Sequence, residues 1–218
     1  MDDVLSDYLV DHSLPPDDVA RRLIAETKQL GGVAQMQISS DEGAFLTIAA
    51  RMVGARRAVE VGTFTGYSAL CIARGLPPDG HLLCCDISEE WTSVGRRYWS
   101  EAGVDDRIEL RIGPAADTLR SYPQQPQWDF AFIDADKTGY ATYWAEIVPR
   151  VRAGGVILVD NVLQAGGVLD PANTSDNVVA IRRFNDMVMA DPRVDAVMLP
   201  IRDGVTFALR REDREELP

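Results

Sequence analysis

The chain has 218 residues, 46% of them hydrophobic, enough for one well-buried α/β domain and short for two. Its 34 acidic residues outweigh 22 basic ones for a net charge of -12, a field that repels nucleic acid and anionic membrane surfaces and disfavours both as partners. No apolar run reaches the roughly 20 residues of a membrane span, and the acidic start Met1-Asp2-Asp3 is unlike a basic signal peptide, so a cytoplasmic protein is expected.

Helices come first in the chain. Asp7 to Val10, and the segment after Pro15-Pro16 with Asp17 and Asp18 in its first turn, carry apolar residues at helical spacing: Val19, Leu23, Ile24 and Leu30. Ser39-Ser40-Asp41-Glu42 has the pattern of a capping box, Ser39 to Glu42, ahead of Phe45, Ile48, Ala49 and Met52. Residues 1–55 are therefore expected to form N-terminal helices, 56–210 an α/β core and 211–218 a charged tail of the same single domain.

A β-branched run then reaches an acidic residue and breaks at two glycines: Val59-Glu60-Val61-Gly62-Thr63-Phe64-Thr65-Gly66-Tyr67-Ser68. A strand, a glycine turn and a helix in this order let backbone approach a nucleotide-like ligand. Gly62 and Gly66 stand four apart, with no third glycine and no following Gly-Lys-Ser/Thr, so a phosphate cradle is not expected. Glu60 would repel phosphate and accept a hydrogen bond from an amino-bearing ligand. The next strand, His81-Leu82-Leu83-Cys84-Cys85, ends at Asp86, where an acidic residue can hold ribose hydroxyls. A nucleoside without phosphates fits this pattern best.

Strands are expected near 57–62, 81–86, 107–112, 128–133, 154–160, 194–200 and 204–210, and helices near 66–74, 90–102, 115–121, 139–149 and 176–190. This alternation predicts a doubly wound, Rossmann-like sheet of seven strands with helices on both faces. The short Ile201-Arg202-Asp203-Gly204 connection makes a hairpin of the last two strands, so the C-terminal strand runs antiparallel.

The fourth strand delivers Asp134-Ala135-Asp136-Lys137, and the fifth Asp160-Asn161, at the edge where such sheets bind ligands. Neighbouring strands lie about 4.8 Å apart, so Asp134, Asp160 and Asn161 can converge on one ion. Hard oxygen donors suit Mg²⁺ first, with Mn²⁺ or Ca²⁺ also suited, and exclude a zinc preference. Each aspartate alone would as readily cap a helix or turn; their convergence favours the metal.

Cysteines 71, 84 and 85 offer no metal spacing and read as buried thiols. The two histidines, His12 and His81, lack a partner motif for catalysis. Lysine occurs only at 28 and 137.

The glycine turn, the Phe132-Ile133-Asp134-Ala135-Asp136-Lys137 segment, Gly154-Gly155-Val156-Ile157-Leu158-Val159-Asp160-Asn161 and Met36-Gln37-Ile38-Ser39-Ser40-Asp41-Glu42-Gly43 together resemble the cation-dependent O-methyltransferases of the caffeoyl-coenzyme A and catechol type. The resemblance runs from about residue 20 onward and implies an S-adenosylmethionine-dependent enzyme, a homodimer and a small aromatic hydroxyl acceptor. It implies Glu60, Gly62, Thr63 and Ser68 on the methionine side of the cofactor, Asp86 on the ribose, Ala115 beside the adenine and Asp136 on the methionine portion. Met36 and Ile38 would close over the cofactor; Ile38 stands where many relatives carry Thr. Asp134 would serve metal, cofactor and catalysis together, with Asp160 and Asn161 as the other ligands.

A phenol of pKa about 10 is a poor nucleophile, which a divalent ion on both oxygens of a catechol would correct. Lys137 is then the candidate base, since lysine can lose its proton where arginine cannot. Gln164 to Pro171 is a glycine-bearing loop that could close as a lid, and Tyr8, Leu14, Tyr140 and Leu169 are candidate acceptor contacts, Tyr140 fitting core packing better. The competing readings are a nicotinamide-dependent oxidoreductase, which lacks its three-glycine fingerprint, and a non-catalytic S-adenosylmethionine-binding protein.

Overall fold

The computed structural model describes residues 3–212. Most of the expected charged tail, 213–218, lies outside them.

Two helices lead: α1 (Asp3–Asp11) and α2 (Asp18–Lys28). Asp17 caps α2, its carboxylate accepting from the Ala20 amide at 2.9 Å, an N-terminal donor that the helix itself cannot satisfy. A 3₁₀ segment, Gly31–Met36, leads to α3 (Ser40–Met52). The strands and helices then alternate: β1 (Arg57–Val61), α4 (Tyr67–Gly75), β2 (His81–Asp86), α5 (Glu89–Glu101), β3 (Ile108–Ile112), α6 (Ala115–Arg120), β4 (Trp128–Ile133), α7 (Tyr140–Ile147) and β5 (Val151–Val159). A last helix, α8 (Asp176–Ala190), precedes the hairpin β6 (Val194–Leu199) and β7 (Val205–Arg210).

The seven strands form one sheet in the order β3-β2-β1-β4-β5-β7-β6. Neighbours from β3 to β5 pair in parallel, and β7 runs antiparallel to both β5 and β6. Alternate residues of each strand serve opposite faces. Ala58, Leu82, Cys84, Phe130, Phe132, Val156 and Leu158 pack under α2, α3, α4 and α5. Val59, Val61, Leu83, Cys85, Ala131, Ile133, Ile157 and Val159 pack under α6, α7 and α8. Covered on both sides, the central strands are mostly apolar, as in parallel sheets, with Glu60 the buried exception in β1. All three cysteines are free and buried in these layers.

Two boundaries differ from expectation. β5 begins at Val151, three residues before Gly154-Gly155, because Val151 pairs with Trp128 ahead of a bulge that the left-handed Gly154 (φ 71°) accommodates. α7 ends at Ile147 and passes into a 3₁₀ turn, Val148–Arg150, where Pro149 cannot donate a helical hydrogen bond. No helix among the described residues is long and apolar enough to cross a membrane.

Candidate active site

The carboxyl ends of β1, β2, β4 and β5 open into a cavity of about 1090 Å³. Its floor at one end is the turn after β1. Gly62 adopts φ 90°, and a Cβ there would stand 1.9 Å from the Asp134 carbonyl oxygen, so only glycine allows β1 and β4 to leave the sheet this close together. Gly66, also left-handed at φ 84°, starts α4 with its backbone against the Trp99 ring, whose Nε1 donates to the Gly66 carbonyl at 2.9 Å. From below, Thr27 of α2 donates to the Thr65 hydroxyl at 2.8 Å.

Asp86 fixes the shape of this turn. One of its carboxylate oxygens accepts from the amides of Thr63 (2.9 Å) and Phe64 (2.8 Å), the other from Ser88 (2.7 Å). Asp86 also lines the cavity, and three accepted bonds leave it room for one more donor of the roughly four that a carboxylate takes. Gly113, Pro114 and Ala115, at the start of α6, form the wall beside it, with Ile87 and Trp91 opposite the turn.

Glu60 lies beneath the turn, fully buried and off the cavity wall, because its side chain descends to the Thr63 hydroxyl (2.8 Å). Burial pushes its carboxyl up to about 7. Its other oxygen has no hydrogen-bond partner. Thr63 and Ser68, both buried, do reach the cavity, as do Gly62, Met36 and Ile38.

At the other end β4 and β5 pair Ile133 with Val159, which sets Asp134 beside Asp160. Asp160 is 3% exposed and accepts from the Asn161 amide (2.6 Å) and from Asn161 Nδ2 (3.0 Å). Asn161 sits at φ 56°, a left-handed conformation that aims its amide back at its neighbour. Burial, then the charge of Asp134, pushes the Asp160 carboxyl up to about 7. Lys137, paired with Asp134 at 2.9 Å, is the positive charge beside these two carboxylates. Two carboxylates and one amide oxygen at adjacent strand ends fit a hard divalent cation. Among the described residues no three His, Cys, Asp and Glu side chains form a metal cluster, and Asn161 is the further oxygen-bearing side chain beside the two aspartates.

Lys137 donates to Asp134 at 2.9 Å and to the Tyr140 hydroxyl at 2.7 Å, and the Tyr140 hydroxyl in turn donates to the Asp160 carbonyl at 2.9 Å. Tyr140 is thus wholly buried beneath the site, not a wall of it. Asp136 lies on the wall and accepts from Tyr143 (2.5 Å) and Thr138 (3.2 Å).

Two expectations are corrected here, the capping box and the acceptor contacts. The capping box does not form: Ser39 makes no side-chain cap, its hydroxyl instead accepting from Arg202 Nε at 2.9 Å. Glu42, released from capping, is 2% exposed and lines the cavity, where burial and then Asp160 and Asp134 push its carboxyl up to about 10. The loop after Asn161 is fastened, since Arg182 donates to the carbonyls of Gly167, Val168 and Asn173 at 2.9 Å each and Asp203 accepts from the Ala165 amide at 2.6 Å. Tyr8, Leu14 and Leu169 are exposed and none reaches the cavity, Tyr8 stacking on His12 instead.

Arg202 and Glu42 are the residues that sequence reasoning missed. Arg202 bridges to Asp41 Oδ1 through Nη2 at 2.6 Å, 161 positions away, a pairing no local pattern announces. Glu42 did lie inside the recognised Met36 to Gly43 segment, which was the available signal.

A nucleoside pocket at the switch point of a doubly wound sheet with an antiparallel seventh strand defines the class, a Rossmann-like methyltransferase. The O-methyltransferase family model matches residues 11–211, and the chain belongs to that family as an S-adenosylmethionine-dependent O-methyltransferase. It is 40% identical over 207 residues to the Dictyostelium discoideum protein named "Probable caffeoyl-CoA O-methyltransferase 1", covering 93% of this chain and 90% of that one. It is similar in structure to the O-methyltransferase TomG of Streptomyces achromogenes, solved with S-adenosylmethionine, at TM-score 0.87 and 30% identity over 96% of each chain. The Bacillus cereus O-methyltransferase in complex with S-adenosylhomocysteine matches at TM-score 0.82 and 32% identity, over 95% of this chain and 97% of that one.

Proposed function

We propose that the enzyme moves the S-adenosylmethionine methyl group to one hydroxyl of a catechol-like small molecule, with a divalent cation at Asp134, Asp160 and Asn161. The observation that carries this reading is the two-ended cavity: Asp86 and Ala115, the proposed nucleoside end, and Asp134, Asp160 and Asn161, the carboxylate-amide end, line one and the same cavity. The whole chain acts as one domain in this reading.

Bound there, the cation, Mg²⁺ before Mn²⁺ or Ca²⁺, would hold both catechol oxygens and favour the phenolate. The protein's own residues do the positioning. Asp134 and Asp160 offer their oxygens at adjacent strand ends, Thr63, Ser68 and Asp136 line the methionine path, and Met36 and Ile38 close the wall above it. Fixing donor and acceptor in line supplies much of the acceleration. Dialysis against a chelator is expected to remove turnover of a catechol and Mg²⁺ to restore it; full activity after exhaustive chelation overturns the metal site.

Lys137 is assigned as the base, its amine lying within hydrogen-bond reach of Asp134 on the cavity wall. Lys137→Met is expected to lower kcat by roughly 10²–10⁴-fold, the usual worth of acid-base catalysis, with little change in cofactor affinity. Wild-type kcat across the pH range would reduce it to a neighbour of the site.

The enzyme is further assigned as a cytoplasmic homodimer. Val4 and Tyr8 leave apolar surface on α1, 80% and 58% exposed, for a second copy to cover. Light scattering should report twice the 24.0 kDa chain mass; a monomer at micromolar concentration contradicts it.

A further inference from the structure

We infer, on the reading of Lys137 as the base, that Tyr140 is a positioning residue for the methyl transfer: its buried hydroxyl aims the Lys137 amine at the acceptor substrate.

Lys137 opens a 3₁₀ turn, Lys137–Gly139, and Tyr140 follows it as the first residue of α7. Side chains three apart eclipse in such a turn, which lays the lysine stem over the tyrosine ring, with Nζ 4.8 Å from the ring centroid. Phe184 of α8 fixes that ring, meeting it edge to face with 5.5 Å between centroids. A phenylalanine at 140 would fill this space equally well. The hydroxyl is what packing does not require.

That hydroxyl has one hydrogen, which goes to the Asp160 carbonyl at 2.9 Å. Toward Lys137 it therefore presents a lone pair, and Nζ donates to it at 2.7 Å. The oxygen is tied to backbone just past β5, so the amine it holds has a fixed place between Asp160 and Asp134. A nitrogen bonded to Cε has three further positions. Two are turned to Asp134 and Tyr140, which leaves one for a group in the cavity that Lys137 lines. With Asp134 alone the amine would keep a single ion pair on a flexible four-carbon stem, free to turn about it. Asp134 is also a ligand proposed for the cation, so the tyrosine hydroxyl is the holding point for which the cation does not compete.

The chain has only two lysines, 28 and 137, and Lys28 is exposed. Lysine labelled with ¹³C at the ε-carbon therefore gives two NMR signals, which Lys137→Met assigns. In protein loaded with S-adenosylhomocysteine, the Lys137 ε-methylene is expected to be more ordered than that of Lys28 on the picosecond-to-nanosecond scale. Tyr140→Phe keeps the ring and removes the hydroxyl, and it should bring the Lys137 signal toward that of Lys28. Phe184→Leu, which withdraws the support of the tyrosine ring, is the second variant and should act in the same direction. Equal order of the two lysines in the wild type, or an unchanged Lys137 signal in whichever variant folds, overturns the inference. Turnover of a catechol with Mg²⁺ separates this role from a structural one. Tyr140→Phe is expected to lower kcat by roughly 10- to 100-fold, the scale of a misplaced catalytic group, with S-adenosylhomocysteine affinity near wild type. In the Lys137→Met background the same substitution should change kcat by less than about 2-fold, because the group it acts through is gone. A wild-type kcat in Tyr140→Phe overturns the inference, and so do equal losses in both backgrounds, which would place the effect at the Asp160 carbonyl. Wild-type kcat in Lys137→Met, or no turnover of any catechol, would sink the reading of the base or of the substrate instead, while the lysine signals would still decide what holds the amine.

Discussion

Asp160→Ala is expected to abolish methyl transfer and to leave S-adenosylhomocysteine bound with near-wild-type affinity. The side chain faces Asp134, Glu42 and Asn161, at the opposite end of the cavity from Asp86 and Ala115. Its backbone contacts, the amide to Ile133 and the carbonyl from Tyr140, survive in alanine, so the strand end keeps its place. Removing this buried carboxylate relieves its repulsion with Asp134 and Glu42 and leaves the Asn161 amide and Nδ2 without their acceptor, opposing effects that keep the folding cost to about 1–3 kcal/mol. What is lost is one of the three donors proposed for the cation. If that cation is worth several kcal/mol at the transition state, turnover falls by roughly 10³-fold or more, at about 1.4 kcal/mol per tenfold. Calorimetry with S-adenosylhomocysteine, paired with a methyl-transfer assay, measures both quantities. Full activity, or equal loss of cofactor binding in a folded protein, contradicts this division of the cavity.

Gly62→Ala should damage both ends of the site through the backbone. A methyl group there meets the Asp134 carbonyl oxygen at 1.9 Å and its carbon at 2.6 Å, and neither is a flexible side-chain tip that can swing away. The residue would also have to hold φ 90°. Left-handed strain and overpacking each cost about 1–3 kcal/mol, together roughly 2–6 kcal/mol. For a chain of this size that lowers the melting temperature by roughly 5–20 °C. Cofactor affinity should fall as well, because the turn that Asp86 holds through Thr63 and Phe64 is displaced. A melting temperature within about 2 °C of wild type would show that β1 and β4 can separate at no cost.

The sheet was legible because its strands are apolar and β-branched and its helices amphipathic, so both periodicities are written locally. The placement of Asp134 just past β4, and of Asp160 and Asn161 just past β5, was legible for the same reason, since topology fixes where those two strands stand in a doubly wound sheet. Glu42 was misread because Ser39 and Glu42 satisfy a local capping rule that a distant arginine, Arg202, overrides by taking the Ser39 hydroxyl. Glu60 and Asp86 illustrate a different limit. Sequence places an acidic residue at each strand end, but not whether it faces the ligand or the backbone; Glu60 turns beneath the loop, and Asp86 spends three bonds shaping it. The left-handed Gln164 and Ala165 could not be read from residue type, since such residues adopt φ near 50° only where surrounding contacts hold them there.

The central claim is a methyl transfer that needs two adjacent hydroxyls. Incubation with S-adenosylmethionine carrying a deuterated methyl group, Mg²⁺ and a catechol matched to its monophenol, read by mass spectrometry, tests it most directly. The predicted result is one labelled methyl ether on the catechol and none on the monophenol, which cannot present two oxygens to the cation proposed at Asp134, Asp160 and Asn161. Equal labelling of the monophenol, or no label on any catechol by protein that binds the cofactor, would contradict the account.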